Sequence, residues 1–233
     1  MPDIPLIPAV TFRPFQGESD FPAMVDIFHA INRAGQVEGV MTLDRLANEY
    51  THLNNCDPAT DVLMAEVAGR LVGFARVWWW VNETGERLYG VHGWVHPDWQ
   101  GQGIGRALLD WQERRAGEMA ATHPGGAGAG ERRFFEAMAM EGEVSRVALL
   151  KHAGYAPIRY GIVMVRPNLD DLPDAPLPAG FEVRPVLTEY IRQVWEALDE
   201  AGRDDSGYRA STEEDYLGFL NDRELQPALL RHY

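Results

Sequence analysis

The residues best suited to chemistry form one stretch, residues 94–109, in which a strand ends, three glycines follow at every second position, and a helix begins. The glycines are Gly101, Gly103 and Gly105. The first N–H groups of a helix have no partner within it, and the helix dipole places partial positive charge there, so a helix start preceded by glycines is suited to binding an anion. The stretch therefore predicts a ligand that carries phosphate.

The spacing of the glycines separates this stretch from two common phosphate-binding motifs. A dinucleotide-binding turn requires Gly-x-Gly-x-x-Gly, but the sixth position counted from Gly101 is Arg106. A P-loop requires a Gly-Lys-Ser/Thr ending, which this stretch lacks. What is present is Gln-x-x-Gly-x-Gly at residues 100–105, preceded by Val95-x-Pro97. This pattern resembles the coenzyme A signature of the GNAT acetyltransferase superfamily.

The resemblance implies acetyl-CoA as the cofactor, with coenzyme A as the product, and assigns most contacts to the main chain. It implies that the backbone of residues 93–95 binds the pantetheine arm and the thioester oxygen, and that the N–H groups of residues 100–106 bind the pyrophosphate. No metal is predicted. The cofactor-binding residues predicted in this way are Gly93, Trp94, Val95, Gln100, Gly101, Gln102, Gly103, Ile104, Gly105, Arg106 and Ser145.

A second stretch, residues 145–155, resembles another signature of the same superfamily. It begins with Ser145, continues with Ala148 and ends in the pair Gly154-Tyr155. Leu150 stands where many relatives have a tyrosine whose hydroxyl protonates the departing thiolate. The proton donor is therefore in doubt, and Tyr155 and Tyr160 are the nearest replacements; solvent is the other source.

The sequence also leaves open which residue acts as the general base. The resemblance places it on the strand of residues 87–95, near Tyr89, where this chain has no carboxylate. Glu83 and Glu86 lie in the loop that opens this strand and remain candidates through a bridging water. His92 has a suitable intrinsic pKa, but the alternation of a strand turns it to the face opposite Tyr89, so a structural role is favoured. The predicted catalytic residues are Tyr89, Glu86, Glu83, Tyr155 and Tyr160.

The elements that position these residues follow from hydrophobic periodicity and turn residues. We predict strands at residues 9–15, 62–67, 71–81, 87–95 and 132–140, and one or two more within 155–165. The predicted helices cover residues 21–35, the segment after Thr42, 104–120 and 143–152, and a glycine-rich loop covers 122–130. This order resembles the GNAT fold over residues 9–166, a mixed α+β class with a mostly antiparallel sheet flanked by helices. Trp78, Trp79 and Trp80 must alternate between the faces of their strand.

Composition bounds the remaining possibilities. The chain has 233 residues, 45% of them hydrophobic, which is enough for a sizeable core in one or two domains. The net charge of −14 argues against nucleic acid or an anionic membrane surface as the main partner. The one cysteine, Cys56, excludes an intrachain disulfide. With no signal-peptide pattern at the N-terminus, we expect a cytoplasmic protein.

The C-terminal part repeats the beginning of the chain. After a proline-containing acidic linker at residues 169–180, Val183-Arg184-Pro185 echoes Phe12-Arg13-Pro14, and Thr212 with its helix echoes Thr42. We therefore predict a GNAT domain at residues 1–168 and a partial second GNAT-like domain, a strand and two helices, at 181–233. So small a segment must cover its apolar faces, so we expect it to dock on the first domain or to form a homodimer, and we expect no second coenzyme site.

The resulting functional hypothesis is an acetyl-CoA-dependent N-acetyltransferase. It would transfer the acetyl group to a primary amine of a small molecule or peptide by direct attack in a ternary complex. Because the tyrosine is missing at Leu150, the alternative is a module that binds acetyl-CoA as a sensor or structural ligand without turnover.

Overall fold

The fold is described from a computed structural model that covers residues 7, 9–35, 39–122, 132–162, 164, 166, 168, 170–171, 174–183, 186–204 and 208–221. The strands are β1 (Val10–Pro14), β2 (Val62–Val67), β3 (Arg70–Val81), β4 (Arg87–Val95) and β5 (Arg133–Glu136). The helices are α1 (Phe21–Gly35), α2 (Leu43–Thr51), α3 (Pro58–Asp61), α4 (Ile104–Thr122), α5 (Val144–His152), α6 (Ile191–Gly202) and α7 (Glu213–Asn221).

The five strands form one sheet in the order β1-β2-β3-β4-β5. The first four are antiparallel neighbours, which confirms the predicted meander and the mixed α+β class. The fifth, β5, is parallel to β4. On one side β4 pairs with β3 along its whole length, but on the other side β5 pairs only with Arg87–Gly90. The second half of β4 therefore has an edge that β5 does not cover.

Each face of the sheet is covered by helices and carries its own apolar cluster. On one face α4 contributes Leu108, Trp111 and Met119 to a cluster with Val77 and Tyr89. On the other face α1 and α2 pack Met24, Ile27, Leu46 and Tyr50 against Met64 and Phe74. Successive strand residues supply opposite clusters, as the alternation of side chains requires.

The three adjacent tryptophans follow the same rule. Trp79 packs with the α4 cluster. Trp78 and Trp80 lie on the other face with ring centroids 6.0 Å apart and nearly parallel planes. Trp78 crosses β4 at Gly90, where a Cβ would lie 2.5 Å from the indole ring, so the glycine provides the room that the ring needs.

Predicted and observed helix starts agree where a capping residue is present. The Thr42 hydroxyl accepts a hydrogen bond of 3.1 Å from the backbone N–H of Arg45 at the start of α2. Just after the C-terminal end of α5, Gly154 has the left-handed φ of +89° that the predicted helix end requires. Both local signals act through the backbone of one turn, which is why they are readable without tertiary information.

Among the described residues, one predicted strand is shorter than expected and another is absent. The strand expected over residues 132–140 ends at Glu136, and residues 155–162 and 164 form no strand. Ile158, Tyr160 and Ile162 alternate as a strand would, but they are 77–84% exposed. A strand also needs a neighbour for its backbone hydrogen bonds, and periodicity alone does not supply one.

Some other predictions concern residues outside the described part of the chain. The glycine-rich loop lies outside them from residue 123 to 130, and so do residues 184 and 185 of the echoed Val-Arg-Pro segment. Residues 181–183 form no strand. Within the described part of the chain, no helix has the length and apolar character needed to cross a membrane.

The two predicted C-terminal helices are confirmed, and they dock on the first domain. Trp195 of α6 lies against Phe219 of α7, with ring centroids 4.9 Å apart. The contact of α7 with α2 is polar: Asn48 donates to the Gly218 carbonyl at 2.8 Å, and His52 pairs with Glu214 at 2.6 Å. The docked arrangement is one of the two expected; the homodimer remains a prediction.

A prediction about deletion of the tail follows from the polar character of this contact. Deletion of residues 170–233 should lower the free energy of unfolding of the remaining domain by only about 1–3 kcal/mol, because hydrogen bonds at a partly solvated contact contribute about 1 kcal/mol each. Urea unfolding followed by fluorescence would measure the loss. A truncated chain that fails to fold, or that associates in sedimentation experiments, would contradict the expectation and assign the tail a larger role in covering apolar surface.

Candidate active site

The uncovered edge of β4 is the starting point of the site. The N–H of His96 donates to the Val72 carbonyl of β3 at 2.8 Å, so the backbone groups of every second residue before it face β3. The N–H and C=O groups of Val91, Gly93 and Val95 therefore face the opposite side, beyond the end of the β5 pairing. A strand edge of this kind presents hydrogen-bonding groups to any extended ligand laid beside it.

The glycine turn lies at the end of this edge. Gly101 and Gly103 have φ values of +73° and +88°, in the left-handed region that favours glycine. The Gln100 side-chain amide donates to the Val95 carbonyl at 3.1 Å and so ties the turn to the strand. Helix α4 then begins at Ile104 without a side-chain cap. Its first N–H groups have no partner within the helix, which is the arrangement that the predicted anion site requires.

A cavity of about 630 Å³ connects the turn, the β4 edge and the start of α5. Nine of the predicted cofactor-binding residues line it, namely Gly93, Trp94, Val95, Gln100, Gly101, Gly103, Gly105, Arg106 and Ser145. Two do not. Ile104 is 1% exposed in the core, and the Gln102 amide donates to the Asp98 carbonyl, which stabilises the turn itself.

Glycine is required at position 105 for a reason other than the phosphate contact that its spacing suggests. A Cβ at this position would lie 3.3 Å from the Leu149 methyl of α5. Gly105 therefore allows α4 and α5 to approach each other on the wall of the cavity. A side chain there would first meet a helix rather than a phosphate.

Gln112 was not predicted, yet it ties α4 to the two central strands at the site. It is 2% exposed, and its amide nitrogen donates to the carbonyls of Arg76 and His92 at 2.9 and 2.7 Å. These residues face each other across β3 and β4, so one side chain of α4 joins two strands. The sequence signal that could have identified Gln112 is a polar residue in the middle of the apolar face of a helix.

Arg146 was not predicted either. Its guanidinium reaches from α5 to the β4 edge and donates to the Gly93 carbonyl at 3.1 Å. The side chain lines the cavity and is only 16% exposed. Burial lowers the pKa of this guanidinium, and the nearby charge of Glu143 acts in the opposite direction.

His92 lies on the sheet face opposite α4, as its strand position predicted. Its ring makes edge contacts with Trp78 at 4.8 Å and with Trp94 at 5.7 Å. Burial, followed by the positive charges of Arg146 and Arg76, lowers its pKa to about 3. The imidazole is therefore neutral at physiological pH and only a weak base.

The five predicted catalytic residues do not come together. Tyr89 is 1% exposed within the α4 cluster and does not line the cavity. Glu83 and Glu86 lie at the opposite end of β4, where Glu86 pairs with Arg132; seven residues of strand separate Glu86 from Gly93, roughly 20 Å. None of these three positions supports contact with the reacting atoms.

The two tyrosines proposed as proton donors lie elsewhere too. The Tyr155 hydroxyl donates to Glu113 on α4 at 3.0 Å, and burial, with the neighbouring carboxylate, raises its pKa. Tyr160 is 83% exposed. Neither is among the residues that line the cavity, whereas Leu150 is.

An antiparallel sheet whose fourth strand opens towards a glycine turn and the start of a helix is the arrangement of a GNAT acetyltransferase domain. The family model described as an acetyltransferase (GNAT) domain matches residues 58–138, which contain β2, β3, β4, α4 and β5. Over these residues the chain is similar to a GNAT acetyltransferase domain.

Three known proteins are similar to the chain. A mycothiol acetyltransferase from Salinispora arenicola is 30% identical over 184 residues; the match covers 77% of this chain and 52% of that protein, so the chain spans about half the length of this relative. A GCN5-related N-acetyltransferase from Sphaerobacter thermophilus has the same fold, with a TM-score of 0.64 at 22% identity over 97% of this chain and 66% of that one. A putative acetyltransferase from Salmonella typhimurium, solved with its cofactor acetyl-CoA, is 20% identical with a TM-score of 0.47, over 64% and 80% of the two chains.

The turn makes a direct prediction. In Gly103→Val a β-branched side chain would meet a left-handed φ of +88°, which should displace the N–H groups at the start of α4. We expect acetyl-CoA to raise the melting temperature of the unchanged protein, since a ligand that binds only the folded state stabilises it, and to have no effect on Gly103→Val.

Gly85→Val is the matched control for backbone strain. Gly85 has a similar φ of +78°, no neighbour within 4 Å of a Cβ, and a place in the remote β3–β4 turn. Both variants should melt earlier without ligand, but only Gly103→Val should lose the response to acetyl-CoA. An unchanged response in Gly103→Val would remove the turn from the binding site.

Proposed function

We propose that the protein is an acetyl-CoA-dependent N-acetyltransferase that acts on a primary amine of a small molecule or peptide by direct attack in a ternary complex. The observation that carries the proposal is the cavity along the uncovered edge of β4, which is lined by the glycine turn, the start of α4 and α5. When bound, acetyl-CoA supplies an acetyl thioester, a carbonyl that an uncharged amine can attack.

The residues present fit this cofactor. The N–H groups at the start of α4 would hold the pyrophosphate, as helix starts hold phosphate in general. The backbone groups of Val91 and the N–H groups of Gly93 and Val95, whose carbonyls already accept from Arg146 and Gln100, would hold the pantetheine amides in the manner of an added strand. Apolar side chains, among them Leu108, Leu149 and Leu150, line the cavity and exclude water from the reacting end.

Direct attack is favoured over a covalent enzyme intermediate by the state of the cysteine. Cys56 does not line the cavity, and burial raises the pKa of its thiol to about 12. A thiol of this kind is protonated at physiological pH and is a poor nucleophile. The backbone and side chains of the cavity would then act by binding, orientation and electrostatic stabilisation.

The acceptor would approach from the other face of β4. His92, Trp94, Trp78 and Trp80 form a row of rings there. A neutral His92 can accept a hydrogen bond from an amine but removes its proton poorly, so the amine would arrive uncharged or release its proton to water. The similarity to a mycothiol acetyltransferase favours a small molecule as the acceptor.

The alternative, a module that binds acetyl-CoA without turnover, has one observation in its favour: Leu150 lines the cavity where a proton-donating tyrosine was expected. Thiol release from acetyl-CoA with a panel of primary amines would separate the two functions. We expect thiol release that depends on the amine. Stabilisation by acetyl-CoA without thiol release for any amine would favour the sensor, and absence of both would contradict the coenzyme site itself.

The position of Tyr155 makes a further prediction about turnover. Because its hydroxyl is bonded to Glu113 outside the cavity, Tyr155→Phe should change the rate of acetyl transfer by less than about twofold and lower stability by about 1 kcal/mol, the usual loss for one hydrogen bond. Steady-state kinetics and thermal melting would test this. A loss of a hundredfold, the scale expected for a general acid, would restore Tyr155 as the proton donor.

We also propose that residues 181–233 are part of a second GNAT-like unit, after a linker at 169–180. Thr212 accepts from the N–H of Asp215 at the start of α7, as Thr42 accepts from Arg45 at the start of α2. The two threonines are 170 residues apart, and so are Asn48 and Gly218, which are hydrogen-bonded to each other. An element that meets its own repeat at one shared point is what a two-fold arrangement produces.

A further inference from the structure

The strongest feature that the proposed mechanism leaves unused is the buried guanidinium of Arg146. It stands at the α5 end of the cavity, against the Gly93 carbonyl. A guanidinium has five N–H donors and does not give up a proton in proteins. One of these donors is engaged by Gly93, so others remain for a ligand in the cavity.

Arg146 and Leu150 are four residues apart on α5, so their side chains project from the same face of the helix. Both line the cavity. Leu150 holds the position at which the resemblance leads one to expect a proton donor, and Arg146 lies one turn closer to the N-terminus of α5. A permanent cation therefore stands beside the place of the missing acid.

The charges around Arg146 leave its positive charge incompletely neutralised. The Glu143 carboxylate is 3.9 Å away, beyond hydrogen-bond distance, and it accepts a hydrogen bond from the N–H of Met140. The positive charge of Arg146 acts on the imidazole of His92 in β4, and so does the charge of a second cation, Arg76 in β3. Among the residues described, this end of the cavity is suited to an anion.

We propose that Arg146 stabilises the thiolate of the coenzyme as an anion, in place of protonating it. The inference rests on the proposed function and adds a residue to its acyl end. When the amine nitrogen forms its bond to the carbonyl carbon and the carbon–sulfur bond breaks, the electron pair stays on sulfur, and the proton of the amine goes to water. Arg146 keeps all its protons and acts by charge alone.

The experiment is a titration of coenzyme A bound to the full chain, followed by the ultraviolet absorbance of the thiolate. A cation within about 4–6 Å lowers the pKa of an acid by about 1–3 units. We expect the pKa of the thiol in bound coenzyme A to lie at least about one unit below its value in free coenzyme A, which is a tenfold larger acid dissociation constant. This shift should disappear in Arg146→Met and persist in Arg146→Lys, which keeps the charge.

Two further measurements keep the result interpretable. Arg192→Met, on the exposed side of α6, is the matched control and should titrate like the unchanged protein. Loss of the charge in Arg146→Met should also raise the pKa of His92, which nuclear magnetic resonance can follow without any coenzyme. If Arg146→Met does not fold, the comparison of bound with free coenzyme A and the Arg146→Lys variant still decide.

The outcomes separate this inference from the proposed function. A thiol that titrates in the complex as it does in free coenzyme A overturns the inference, although coenzyme binding stands. The same holds if Arg146→Met binds coenzyme A and leaves the shift intact. Failure of the unchanged protein to bind coenzyme A overturns the proposed function, and the inference with it.

Discussion

The structure depends on the incomplete pairing of β4. Nine residues of β4 pair with β3, but only four pair with β5, and the remaining backbone groups on that side must find other partners because buried N–H and C=O groups are costly to leave unsatisfied. Side chains supply part of the answer: Gln100 donates to the Val95 carbonyl, and Arg146 donates to the Gly93 carbonyl. The open edge is thus stabilised by side-chain hydrogen bonds and is not the frayed end of a strand.

The surrounding elements maintain this opening. The Gln112 amide connects β3, β4 and α4 at one point, which fixes α4, the helix proposed to bind the pyrophosphate, relative to the strand with the open edge. Gly105 lets α5 come close to α4, and Gly142 permits a similarly close approach to the end of α1, since a Cβ there would lie 2.7 Å from the Gly35 carbonyl. The cavity is therefore bounded by helices and a strand that contact one another, together with the glycine turn.

Local signals carried the sequence-based prediction a long way. The meander from β2 to β4, the glycine turn and α4 were readable because alternation, positive φ and helix starts are properties of a few consecutive residues. The region after Tyr155 was not, since pairing of a strand depends on a distant neighbour. Gln112 and Arg146 were missed for the same reason: each is a single polar residue whose partners, the carbonyls of Arg76, His92 and Gly93, are brought near only by the fold. The strand position of Tyr89 could be predicted in the same local way, but the depth of its burial under α4 could not.

The contact between α2 and α7 has a consequence for how the molecule behaves on dilution. In the proposed repeat α7 corresponds to α2, and surfaces in which one element meets a copy of itself usually join separate subunits, which dissociate as the concentration falls. Here both helices belong to one polypeptide, so the second surface is always present at the high local concentration set by the tether. Weak polar bonds such as those from Asn48 and His52 are then sufficient to keep the surfaces together, and the two sides of the contact are free to acquire different residues, because a change in one helix is no longer repeated in the other.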